Sequence, residues 1–216
     1  MQQGDISAAL VSFQLSLEIR EKLLKENPFS LPAHRDFSSA LDRLGDVQLR
    51  MGEGAKALVS YQRSVEISEM LADVSFHSTL TRRNLAISLN RLGEVQIQQG
   101  DAAAALATYK RSVAINEKLA KADPTDAQLQ RDWLVSSNKI GRVQMQLGEG
   151  DAALASFEQA LTIGNELMKA DPQNTQAQRD LSATLDNVAE IQLLNGSGEK
   201  ALESYQQSLD ISAKLA

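Results

Sequence analysis

Apolar residues return along this chain in steps of three and four, the spacing that lines one face of a helix. One such stretch carries Leu89, Leu92 and Val95, followed by Gln96 and Gln99. A second carries Ala105, Leu106, Tyr109, Val113, Ile115 and Leu119. Strict alternation, the mark of a strand, appears in neither. Gly100-Asp101 separates them: glycine ends one helix and aspartate caps the next. Asp123-Pro124 and Asp171-Pro172 divide longer pieces, with proline near the start of the following helix. The pattern predicts a helix A from about Asp126 to Leu147 and a helix B from about Glu149 to Ala170, each roughly 33 Å long.

The same punctuation recurs every 48 residues. It links Gly4, Gly52, Gly100, Gly148 and Gly196, and likewise Ala9, Ala57, Ala105, Ala153 and Ala201. Leu10, Leu58, Leu106, Leu154 and Leu202 keep the step. So do the rings Phe13, Tyr61, Tyr109, Phe157 and Tyr205. Residues 83–130 laid on 131–178 match at 20 of 48 positions without a gap. An array is therefore the organising feature. It reads as a single domain over 1–216: a partial unit at 1–34 holding helix B only, units at 35–82, 83–130 and 131–178, and an incomplete unit at 179–216. That makes an all-α solenoid of about nine long helices stacked as antiparallel hairpins.

The repeated alanine is expected to face Gly45, Gly93, Gly141 and Ala189 of helix A, so that the backbones approach closely. The ring of helix B then fills the gap toward the next unit. Phe37, Leu85, Trp133 and Leu181 form a second bulky layer.

These residues resemble the tetratricopeptide repeat (TPR). The likeness rests on Leu44-Gly45, Gly52, Ala57, Tyr61 and Ser64, then on Leu92-Gly93, Gly100, Ala105, Tyr109 and Ser112. It continues in Ile140-Gly141, Gly148, Ala153, Phe157 and Ala160. It departs from the common pattern in length, since that unit has about 34 residues. The bulky early tryptophan is replaced by Leu41, Leu89, Ser137 and Leu185, and the usual tyrosine by Gln48, Gln96, Gln144 and Gln192. Seven extra residues on each helix, about two turns apiece, keep both faces in register.

The resemblance implies a right-handed superhelix with a concave groove lined by helix A, and a non-catalytic scaffold that holds a peptide or partner domain there. The implied contact residues are Asp42, Asp46, Asn90, Glu94, Asn138, Arg142, Asp186 and Glu190. Asparagine can pair with both the N–H and the C=O of an extended peptide. The acidic members favour a basic segment and set the surface apart from TPRs that clamp carboxylates. Arg43 and Arg91 stand three before Asp46 and Glu94, a local pairing distance. Arg35, Arg83, Arg131 and Arg179, beside Asp36, Asn84, Asp132 and Asp180, suggest an inter-unit ladder. Neither end shows a polar capping helix, which points to a segment of a larger protein. The alternative is a self-assembly module: a homo-oligomer through stacked ends, with Leu15 on the orphan helix face.

Composition narrows the function. The chain has 28 acidic and 22 basic residues, a net charge of −6 and no cysteine. An acidic chain repels phosphate, so no nucleic-acid partner is expected. Without cysteine there is neither disulfide nor thiolate chemistry. His34 and His77 lack metal-ligand spacing, and no phosphate-loop or nucleophile-elbow motif occurs, so no catalytic residue, metal or cofactor is expected. No basic leader or long apolar run is present, which reads as cytoplasmic with no membrane partner. Phe76 stands where other units have proline, and a ring tucked over the neighbouring hairpin is expected there.

Overall fold

The computed structural model describes residues 3–75 and 78–215, with side chains from residue 11 onward. Phe76 and His77 lie outside the described residues. Nine helices and no strand occur among them: α1 Gln3–Glu26, α2 Leu31–Arg50, α3 Gly54–Val74, α4 Thr79–Gln98, α5 Ala102–Ala122, α6 Ala127–Gln146, α7 Gly150–Ala170, α8 Thr175–Leu194 and α9 Gly198–Leu215. The helical content is 87 %. The chain forms two compact units, Met1–Thr108 and Tyr109–Ala216, and the division falls inside α5. Each is a stack of helical hairpins. In the first, α2 packs on α3 and α3 on α4; in the second, α6 packs on α7, α7 on α8 and α8 on α9.

Short polar signals make the ends. Asp126 accepts the backbone N–H of Gln128 and Leu129, at 2.8 and 3.1 Å. Asn174 does the same for Gln176 and Ala177, and Ser30 and Ser78 cap α2 and α4. Asp101 caps α5 through the N–H of Ala104 at 2.9 Å. Pro124 and Pro172 sit two residues ahead of the caps, in the turn. Gly148 takes a φ of 78°, a left-handed conformation that glycine alone adopts cheaply. Around it, the N–H of Gly148 donates to Met145 O and that of Glu149 to Gln144 O. This is a Schellman turn, which satisfies the last carbonyls of α6 while the chain reverses.

Gln144 then acts a second time. Its side-chain Oε1 accepts the hydroxyl of Ser156 at 2.7 Å, tying α6 to α7. The same bond recurs from Ser60 to Gln48, Thr108 to Gln96 and Ser204 to Gln192. The glutamine row that departs from the tetratricopeptide pattern therefore pins each hairpin beside its turn. At the far end of the hairpin, Ser38 Oγ lies 2.9 Å from both Ser64 Oγ and Ser68 Oγ. Ser182, Ser208 and Ser212 repeat that triad. The α6–α7 hairpin has Leu134, Ala160 and Gly164 at the same positions. There one large residue fills the space of three hydroxyls, and a Cβ on Gly164 would lie 3.2 Å from Leu134 Cδ1.

The repeated helix-A glycine meets the ring of its own hairpin. A Cβ on Gly141 would lie 2.5 Å from Phe157 Cε1, and one on Gly45 2.7 Å from Tyr61 Cε1. Phe157 also packs with Ala153, Val188 and Ile191, so it does reach the next helix A, as expected. Burying such a ring contributes about 2–3 kcal/mol. The second layer holds too: Phe37, Leu85 and Leu181 are buried.

Candidate partner-binding site

The candidate contact residues separate into three environments. Asp42 on α2 is buried. Its Oδ2 accepts the hydroxyl of Ser88 on α4 at 3.1 Å and lies 3.7 Å from Arg91 Nη1. Its Oδ1 is buried with no hydrogen-bond partner. Burial pushes the Asp42 carboxyl above the usual range, against hydrogen bonds and the Arg91 charge that pull it down. Asp46 sits 3.2 Å from the same guanidinium and accepts the Tyr61 hydroxyl at 2.7 Å. Burial, with that bond, raises the tyrosine pKa. Arg91 thus reaches back across the hairpin boundary to α2.

Asn138 repeats the Asp42 geometry in the second unit. It donates to Thr184 Oγ1 at 2.7 Å and accepts from Asn187 at 3.4 Å. Asn90 is half-buried, and its Oδ1 has no partner. At Asp42 and Asn138 the row expected to read a peptide backbone therefore faces the seam between successive A helices of one unit.

Glu94, Arg142, Asp186 and Glu190 are exposed. Asp186 and Glu190 form no hydrogen bond or ion pair among the described residues. They occupy the Asp42 and Asp46 positions of the α8–α9 hairpin, and no described helix A packs on them. The arginine ladder is realised between α6 and α8: Arg131 Nε meets Asp180 Oδ2 at 2.5 Å, with a second contact at 3.4 Å from Nη2.

Sequence reasoning passed over a cleft. In the first unit, about 230 Å³ opens between α2 and α4, lined by Arg35, Ser38, Asp42, Arg43, Ser88 and Arg91 among others. Three arginines line it, and one of them, Arg91, reaches the Asp42 carboxylate. The signal was the basic row at Arg43 and Arg91, set aside because local pairing accounted for it.

Among the described residues no three His, Asp or Glu side chains stand together as a metal would require. No described helix is long and apolar enough to cross a membrane.

Comparison with known proteins agrees with this geometry. The tetratricopeptide repeat profile matches residues 86–119 and 136–163. A kinesin-light-chain-like protein of Podosopora anserina with nearly identical TPR-like repeats is similar over 99 % of this chain and 90 % of its own, at 19 % identity and a TM-score of 0.70. The apo form of RapI gives a TM-score of 0.72 at 14 % identity over 98 % of this chain, which spans 50 % of RapI. MamA gives 0.57 at 18 % identity, covering 99 % of this chain and 96 % of its own. No curated protein sequence matches. At these identities the likeness establishes the fold alone.

Proposed function

Because the chain is a tetratricopeptide-repeat protein, we propose that it is a non-catalytic scaffold that holds a peptide or partner segment against its A helices, and that 1–216 serves as one array. Tetratricopeptide repeats carry protein interactions, and the coarse reading follows from the family. The finer one rests on the cleft between α2 and α4. It is large enough for a side chain, and hydroxyls and arginines line it.

The charge of the preferred group follows from the ion pairs. Asp42 and Asp46 are both taken by Arg91, while Arg43 is exposed at the mouth beside Arg35, whose Nε lies 4.0 Å from Asp36. The cleft thus favours an acidic side chain or terminal carboxylate, opposite to the sequence expectation. A basic partner keeps its support only where acids stay open, at Asp186 and Glu190.

The test is an anisotropy titration with two labelled peptides, one rich in glutamate and one rich in lysine. The glutamate peptide should bind, and Arg43→Glu should weaken it by about tenfold. Binding of neither peptide would remove the cleft from the reading; preference for lysine would restore the acidic row as the contact surface.

A further inference from the structure

The arginine ladder has a rung in one unit and a gap at the same place in the other. Between α6 and α8, Arg131 Nε meets Asp180 Oδ2 at 2.5 Å, and Gln176 Nε2 donates to Asp180 Oδ1 at 2.9 Å. Two repeats earlier the same three positions hold Arg35, Asn84 and Leu80, on α2 and α4. Asparagine carries no charge and leucine no donor, so Arg35 lacks the cross-hairpin carboxylate that Arg131 has. Arg35 is left with Asp36, its neighbour in sequence. That carboxylate lies 4.0 Å from Arg35 Nε and also faces Arg20 Nη1 at 3.7 Å. The Asn84 side chain is half-buried and makes no hydrogen bond among the described residues.

We propose that this gap is a seat for one side-chain carboxylate, from an aspartate or glutamate of a partner segment, held between Arg35 and Asn84. It rests on the reading of the α2–α4 cleft as a contact surface, and it names the group bound there and the residues that bind it. Both Arg35 and Asn84 line that cleft. The incoming carboxylate takes the place that Asp180 fills in the second unit. The guanidinium of Arg35 offers paired N–H donors, and the amide of Asn84 offers two more without a competing charge. Ser39 and Arg43, one and two turns beyond Arg35 on α2, line the same cleft and are exposed. Neither forms a hydrogen bond or ion pair among the described residues, so both are open to the segment that carries the acid.

Charge selects the occupant. Asp42 is the one acid lining the cleft, and Ser88 and Arg91 already engage it. A lysine or arginine from a partner would meet three guanidiniums there and no open carboxylate. A single carboxylate also suits the gap better than a phosphate monoester. Asparagine at 84 in place of aspartate removes one negative charge, and one carboxylate restores it. A phosphate brings close to two, and Asp36 beside Arg35 repels the excess.

The test uses the full chain and two labelled peptides blocked at both ends, one carrying glutamate and the other phosphoserine at the same places. The glutamate peptide should bind. Asn84→Asp should weaken it by at least about tenfold, because α4 then supplies the carboxylate itself. Arg35→Ala should weaken it by a similar factor. In a double-mutant cycle on thermal unfolding, Asn84→Asp should raise the midpoint when Arg35 is present and lose that gain beside Arg35→Ala, which separates a filled seat from general repulsion of the peptide. Arg35 is exposed, so circular dichroism of Arg35→Ala should match the parent, and that variant decides the matter if Asn84→Asp folds poorly. Binding that falls with Arg43→Glu but survives both Asn84→Asp and Arg35→Ala overturns the seat and leaves the cleft as the contact surface. Tighter binding of the phosphoserine peptide overturns the carboxylate assignment. Binding seen only when the peptide's C-terminus is left free overturns the side-chain source. Absence of any binding overturns the seat and the cleft reading together.

Discussion

Asn138 donates its side-chain amide to Thr184 Oγ1 at 2.7 Å, across the boundary between two hairpins. Ser88 and Asp42 make the equivalent contact two array positions earlier, with donor and acceptor exchanged. Residues that look like a row of ligand-reading groups are thereby engaged in stitching one A helix to the next. Asn138→Ala should lower the stability of residues 109–216 by about 1 kcal/mol, the net worth of one such bond. Urea unfolding followed by circular dichroism checks this. An unmoved midpoint would return Asn138 to the solvent-facing surface.

Gln144 and Ser156 should be energetically coupled. Each single change to alanine leaves the other group buried without its partner, whereas the double change removes both. A double-mutant cycle on thermal unfolding should show a coupling of about 1 kcal/mol. Strict additivity would mean that the 2.7 Å contact contributes nothing in solution.

Gly141 admits the Phe157 ring. Gly141→Ala places a methyl 2.5 Å from a ring carbon, so the ring or the helix must shift. The expected cost is about 1–3 kcal/mol, read as a fall in the unfolding midpoint. The cost should shrink in the Gly141→Ala, Phe157→Leu double variant, since the smaller side chain leaves room. Persistence of the full cost there would place the strain elsewhere.

Asp42 gives stability a pH dependence of definite sign. Burial raises its folded-state pKa above the ordinary 3.8, so the folded state holds the proton more tightly than the unfolded chain does. That contribution is complete below pH 3.8 and is lost as pH rises through the raised value. Asp42→Asn lacks it. The variant should therefore gain on the parent as pH rises from acid toward neutral, then keep a constant margin. Denaturation midpoints across that range decide it. A parent that gains on the variant instead would show that the Arg91 pair outweighs burial.

How much was legible in sequence depended on how local the cause was. Asp126, Asn174, Asp101 and the left-handed glycines act within three or four residues, and they mark the helix ends where they stand. The ring at Phe157 and the layer at Phe37 declare themselves by bulk and period. The glutamine row was visible as a departure from the family pattern, but its use was not, because Ser156 becomes its neighbour only when the hairpin closes. The reach of Arg91 was hidden for a similar reason: Asp42 and Asp46 on α2 meet its guanidinium in a partly buried seam only when successive hairpins pack.

Sequence alone determined the helices, their punctuation and the 48-residue unit, because capping, glycine conformation and apolar period are short-range effects repeated often enough to outweigh chance. Tertiary structure alone decided which face of each A helix is seam and which is open. Asp42 and Asp186 occupy the same position in the repeat, yet one is buried under α4 and the other stands in water. The difference lies in what packs next to them, 46 residues away in the first case, and no property of the aspartate itself records it.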